Sequence, residues 1–270
     1  MPVKKDPSGR RSVEAEVEVR GSPEQVWRAI ATGPGISSWF VPTELEERAG
    51  GTAVSHFAPG GAMDSVAKIT EWQPPHRFLA ETQEGPGTVA TEWTVEARDG
   101  GSCIVRVVHS WFASTDDWDD QFEGHTYGWI AFFRLLALHL EHFPGESGTT
   151  LQVMAATAAP IQEAWETLMR PLGLSDAAEG QLVSSPAGAP GFAGWVERVG
   201  PPEYPEIVLR LDRPTRGIAH LFALPMGGQI FLPVRFYLYG EEAALAVAAE
   251  EPAWQAWIAE RFNAGGNAGG

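Results

Sequence analysis

The stretch SPEQVWRAIATGPGISSWFVP, residues 22–42, holds two short helical patterns separated by Thr32-Gly33-Pro34-Gly35, with a tryptophan in each. Ser22 before Pro23 marks a helix start. A serine hydroxyl there accepts from a free N–H of the first turn, and a proline in that turn forfeits no hydrogen bond. Neither helix is long enough to bury Trp27 or Trp39-Phe40 by itself. Both must be laid against another element, and the flanking sequence supplies strands. VEAEVEVR (13–20) precedes. TAVSHFAP, DSVAKITEW, RFLAETQ and TVATEWTVEARDGGSCIVRVVHSWF follow, all short, alternating and rich in Val, Thr and aromatics. Asp99-Gly100-Gly101 reads as a hairpin turn between two of them.

Alternation assigns the faces. Val89, Thr91, Trp93 and Val95 share one side of their strand, with Glu92 and Glu96 on the wet side. In the next strand Cys103, Val105, Val107 and His109 share a face opposite Arg106. Because the guanidinium needs water, the Cys103–His109 set is expected to point inward. From Trp129, the positions Phe132, Phe133, Leu136, Leu140 and Phe143 follow helical spacing over 127–143, with Arg134, Glu141 and His142 on the wet side. A stripe that wide implies a curved antiparallel sheet wrapped around one helix.

This order resembles the START-like (SRPBCC) helix-grip superfamily. SPEQVWRAIATGPGISSWF, ITEWQPPHRFLAET, VRVVHSWF and GWIAFFRLLALHL are similar to its AHSA1-like branch, the homologues of the Hsp90 ATPase activator. The resemblance covers residues 13–143. Trp111 departs from the branch pattern, where a glycine is expected, and its bulk would narrow the mouth of a cavity. The resemblance implies a groove between helix and sheet, lined by Trp39, Phe40, Trp93, Val107, His109, Trp111, Trp129, Phe132, Phe133 and Leu136.

The plan recurs in weaker form. TLQVMAATAAPIQEAWETLM (150–169) repeats the strand, proline and tryptophan helix, and AWQAWIAERF (253–262) repeats a Trp-Ile-Ala step seen at 129–131. The turn-rich PGESGTT (144–150) is a natural boundary. The expected fold class is α+β, two helix-grip domains. The division is a disordered tail over 1–11, a first domain over 12–145, a degenerate second domain over 150–263 and a flexible tail over 264–270. In the second domain Trp195, His220, Phe222, Phe231, Phe236 and Trp257 are candidates with nothing to choose among them.

Composition excludes several functions. The formal charge of −16 repels phosphate backbones and anionic surfaces, so nucleic acid is not an expected partner. No apolar run reaches the length of a membrane span and no leader is visible. The single cysteine, Cys103, cannot form an internal disulfide, which fits a reducing, cytoplasmic setting. No nucleophile elbow, P-loop or Cys-x-x-Cys is present. His109, His125, His139 and His142 read as ordinary histidines rather than a metal set, and no cofactor is expected. The acidic run STDDWDDQFEGH (114–125) reads as a helix lead-in. His109, on the inner face of an apolar cavity, is the best candidate for chemistry.

With 11 Trp, 13 Phe and 4 Tyr, the chain suits a planar or greasy guest. The leading expectation is a non-catalytic protein that binds a lipid, polyketide or aromatic natural product. The resemblance adds transport, sequestration or self-resistance as contexts. The alternatives are an aromatase/cyclase-like enzyme in which His109 polarises a carbonyl, and a cochaperone-like module with a protein partner.

Overall fold

The computed structural model describes residues 3–61, 63–84, 87–112 and 119–262. The chain divides into two compact units, Met1–Phe57 with Met63–Ser147, and Gly148–Gly270 with Ala58–Ala62. Each unit is an antiparallel sheet with few helices, an α+β architecture.

In the N-terminal unit β1 (Lys4–Lys5) and β2 (Arg10–Arg20) are followed by α1 (Pro23–Ala31) and α2 (Gly33–Ser37). Strands β3 (Thr43–Leu45), β4 (Thr52–His56), β5 (Asp64–Gln73), β6 (Arg77–Glu84), β7 (Gly87–Arg98) and β8 (Ser102–Phe112) precede the long helix α3 (Asp119–His142). The sheet order is β1-β2-β8-β7-β6-β5-β4-β3. Strand β2 therefore docks beside β8, and α3 packs on β2 and α1.

The basic start is not the tail expected for 1–11. Lys4 pairs with Ser12 and Lys5 with Arg11, which extends the sheet by a short edge strand. The run 114–118, with Trp118, and the side chains of Phe122 and His125 lie outside the described residues, as does 263–270.

Local chemistry explains the two small helices. Ser22 and Gln25 form a capping box, each side chain satisfying the other residue's backbone N–H. Thr32 accepts from Gly35 N at 3.0 Å and donates to the Arg28 carbonyl at 2.8 Å, so one side chain closes α1 and opens α2. Gly35 is obligatory for the same corner, since a Cβ there would lie 1.9 Å from the Arg28 carbonyl oxygen. Trp39 Nε1 donates to the Ala29 carbonyl at 2.9 Å and ties the end of the second helix to the first.

The hairpin at Asp99–Gly101 turns through two glycines at φ +87° and +80° and brings Arg98 opposite Ser102. The register then sets Trp93 opposite Val107 and Thr91 opposite His109. Cys103, Val105 and Val107 are fully buried, while Arg106 on the other face pairs with Glu16 at 2.9 Å. Helix α3 buries a wider arc than the sequence stripe. Leu135 and His139 are buried together with Phe133, Leu136, Leu140 and Phe143, because the curved sheet and α1 cover more than one face.

The C-terminal unit runs β9 (Thr149–Thr157), α4 (Ile161–Met169), β10 (Leu182–Ser184), β11 (Ala193–Val199), β12 (Glu206–Arg213), β13 (Gly217–Phe222), β14 (Leu224–Met226), β15 (Gln229–Leu238) and α5 (Ala243–Phe262). Pro160 is the N-cap of α4, one position earlier than the first-turn site its spacing suggests. Helix α5 begins ten residues before the quoted Trp-Ile-Ala segment and contains Pro252. Its Trp254, Trp257 and Ile258 join Phe236, Leu209 and Leu221 in one core.

Candidate functional site

Five elements of the N-terminal unit converge on a cluster of rings. Trp39 and Phe40 follow α2, Phe57 follows β4, Trp93 stands on β7, His109 on β8, and Trp129, Phe132 and Phe133 on α3. Phe40 stacks on Trp129 with centroids 5.1 Å apart and planes 13° apart. Trp93 meets Trp129 edge-on at 5.0 Å and Trp39 at 6.3 Å. Phe133 closes the group, 5.8 Å from Trp129 and 6.1 Å from Trp93. Phe40 also touches Phe132 at 4.5 Å and Phe57 at 5.6 Å. Offset and edge-to-face pairs at these distances attract beyond their area burial.

Among the described residues, several of the rings expected to line a groove between helix and sheet are in contact with one another. Trp39, Phe40, Trp93, Val107, Phe133 and Leu136 are all at most 5% exposed. Trp129, Phe132 and His109 are only half-buried and form the outer edge of the cluster. Trp111 is buried in a cluster with Val13 and Val89 and pairs across the sheet with Arg11.

Two contacts bear on the tautomer of His109. Trp129 Nε1 donates to His109 Nε2, and Thr91 Oγ1 lies 2.9 Å from His109 Nδ1. An indole N–H can only donate, so Nε2 is the acceptor there, and in a neutral ring the proton lies on Nδ1, facing the Thr91 oxygen. In this arrangement the imidazole presents an acceptor, not the donor that polarising a carbonyl requires.

A separate hollow of about 150 Å³ lies at the other end of α3, lined among others by Gln25, Arg28, His139 and Glu146. A larger depression at Glu18, Arg20 and Gly100–Ser102 is an open dish at the hairpin turn. Neither touches the aromatic cluster. The ring cluster remains the stronger candidate, since specific recognition draws on convergent aromatic and polar groups rather than on space alone. None of the residues lining the smaller hollow was expected to do so. Its cause is the wide buried arc of α3, which brings His139 against α1.

Burial lowers the pKa of the His139 imidazole from its ordinary value of 6.5 to about 4, so it is neutral in the fold. His142, one turn on, is exposed. Among the described residues no group of three or more His, Cys, Asp or Glu side chains is placed to hold a metal ion. Cys103 is fully buried, its Sγ 3.3 Å from the Gly21 carbonyl oxygen, and burial pushes its thiol pKa up, the reverse of a nucleophile's.

The candidates in the C-terminal unit do not converge. Phe236 and Trp257 belong to its core, whereas His220 and Phe222 stack at 4.6 Å on the opposite face, as alternation from Ala219 and Leu221 requires. Trp195 is 39% exposed. No helix among the described residues is long and apolar enough to cross a membrane.

Residues 10–136, just under half of the chain, match the profile of the family described as polyketide cyclase/dehydrase and lipid transport. No match was found among curated proteins. Similar solved structures include CalU16 from Micromonospora echinospora, 18% identical, covering 53% of this chain and 83% of that one, with a TM-score of 0.43. DynU16 of the dynemicin biosynthetic locus is 16% identical over 92% of this chain and 95% of that one, TM-score 0.43. BexL, a di-domain ARO/CYC from the BE-7585A biosynthetic pathway, is 14% identical over 93% and 98%, TM-score 0.44.

Proposed function

We propose that the N-terminal unit binds a hydrophobic, planar small molecule of the lipid or polyketide class at the ring cluster between α3 and strands β7 and β8. One observation carries this reading. Trp129, His109 and Phe132 stay half-buried although they pack against a fully buried aromatic bed, so a flat guest has rings to stack on at an edge that solvent reaches. The family description of residues 10–136, which joins cyclase and lipid-transport proteins, supports the same class of guest. In this reading the second unit is a diverged copy of the first, the first is related to the AHSA1-like branch, and the role is binding or sequestration in natural-product metabolism.

Binding is preferred over cyclase-like catalysis because both nitrogens of His109 are engaged by the protein itself, and Nε2 offers a lone pair toward α3. The test is an NMR titration of the intact chain with a fatty acid and with fused-ring aromatics. Saturable shifts of the Trp129 and Trp93 indole N–H signals are expected, with the guest recovered unchanged. Shifts confined to the C-terminal unit, or none at all, would refute the proposal.

A further inference from the structure

The side chain of Trp129 occupies the ring cluster as an aromatic guest would. Its indole is a flat fused-ring aromatic with one hydrogen-bond donor. It stacks on Phe40 at 5.1 Å, receives Trp93 edge-on at 5.0 Å, and donates its N–H to His109 Nε2. That is every type of contact a bound aromatic guest would make, supplied by a residue that is itself only half-buried. The lone pair is aimed by register. Thr91 stands directly opposite His109 across β7 and β8, and its hydroxyl oxygen, 2.9 Å from Nδ1, takes the ring proton on that side. Nε2 is thereby left as the acceptor.

Resting on the binding function proposed above, we infer that Trp129 is an internal stand-in for the guest, and that the guest is a fused-ring aromatic bearing a phenolic hydroxyl, which displaces the indole and donates to His109 Nε2. An aromatic ketone of the same size stacks equally well but brings a second acceptor to a nitrogen lone pair. Two acceptors facing each other leave both without a partner, and a group that loses its hydrogen bond on burial weakens binding. An ether of the same size brings no donor and gains only the stacking. The site therefore ranks guests by donor, at constant ring area.

The experiment is calorimetric and NMR titration of the intact chain with 2-naphthol, 2-methoxynaphthalene and 2-acetylnaphthalene. 2-Naphthol is expected to bind about tenfold more tightly than the other two, the size of one well-made neutral hydrogen bond. Its binding should also move the Trp129 indole N–H signal to that of a solvent-exposed indole. In Trp129→Phe, which keeps a ring but removes the competing donor, the affinity for 2-naphthol should rise several-fold while that for 2-methoxynaphthalene changes little. In His109→Phe the preference for 2-naphthol should vanish. If either variant fails to fold, the ranking of the three probes on the unaltered chain still decides. Equal affinities, or tightest binding of 2-acetylnaphthalene, would overturn the donor rule while leaving the binding function standing. No saturable response to any of the three would overturn both.

Discussion

Acidification should destabilise the N-terminal unit through His139. Its side chain is 2% exposed on the inner arc of α3, and burial lowers its pKa from 6.5 to about 4. The unfolded chain takes up a proton at this residue once the pH falls below about 6.5, whereas the folded chain does not until about pH 4. Between those values the unfolded state binds more protons, so unfolding free energy falls as pH falls. The span from 6.5 to about 4, at about 1.4 kcal/mol per pH unit, corresponds to about 3 kcal/mol. The effect is absent above pH 7 and complete below pH 4.

The assay is urea denaturation of the protein and of His139→Leu, measured at several pH values from 7.5 to 4. Other titrating groups are common to both chains, so the difference in stability isolates this residue. Relative to its value at pH 7.5, that difference should shift by about 3 kcal/mol in favour of the leucine variant by pH 4. The imidazole carbon resonances of His139 should stay at neutral-ring positions down to about pH 5. A stability difference that is flat across this range would refute the reasoning, because it would mean that the ring is charged in the fold or in contact with water.

Trp39→Ala should cost about 3–5 kcal/mol, the usual range for truncating a buried large aromatic, whereas Trp39→Phe should cost much less, chiefly the bond to the Ala29 carbonyl. Chemical denaturation separates the two. Gly35→Ala should destabilise by about 1–3 kcal/mol or more, since its Cβ would lie 1.9 Å from the Arg28 carbonyl oxygen. A thermal melt indistinguishable from that of the parent would disprove this close approach. Cys103 should resist iodoacetamide in the native protein and react at the rate of unfolding, because its thiol is fully buried and its pKa raised. Fast stoichiometric labelling under native conditions would contradict that.

Much of the N-terminal unit was legible in its residues. The alternation of Val89–Val95 and Cys103–His109 placed the inner face correctly because a single guanidinium, Arg106, cannot be turned inward without losing water. Ser22, Pro23 and the glycine pair at 100–101 act through their own backbone, so their effects are local and readable. Strand alternation gave Trp111 a face, and only its neighbours Val13 and Val89 gave it a position. His139 and Leu135 were missed because helical spacing marks the strongest stripe and not the full arc that a curved sheet covers.

The sequence by itself determined the periodicities, the caps, the turns and the acidic charge, each set by neighbours a few residues apart. Only the tertiary structure decided which of the aromatic residues meet. That outcome depends on how far α3 settles onto the sheet, and on Phe40 and Trp129, 89 positions apart in the chain, meeting face to face. It also decided which nitrogen of His109 accepts, because a tautomer is set by the partners at both ends of the ring and those come from β7 and α3.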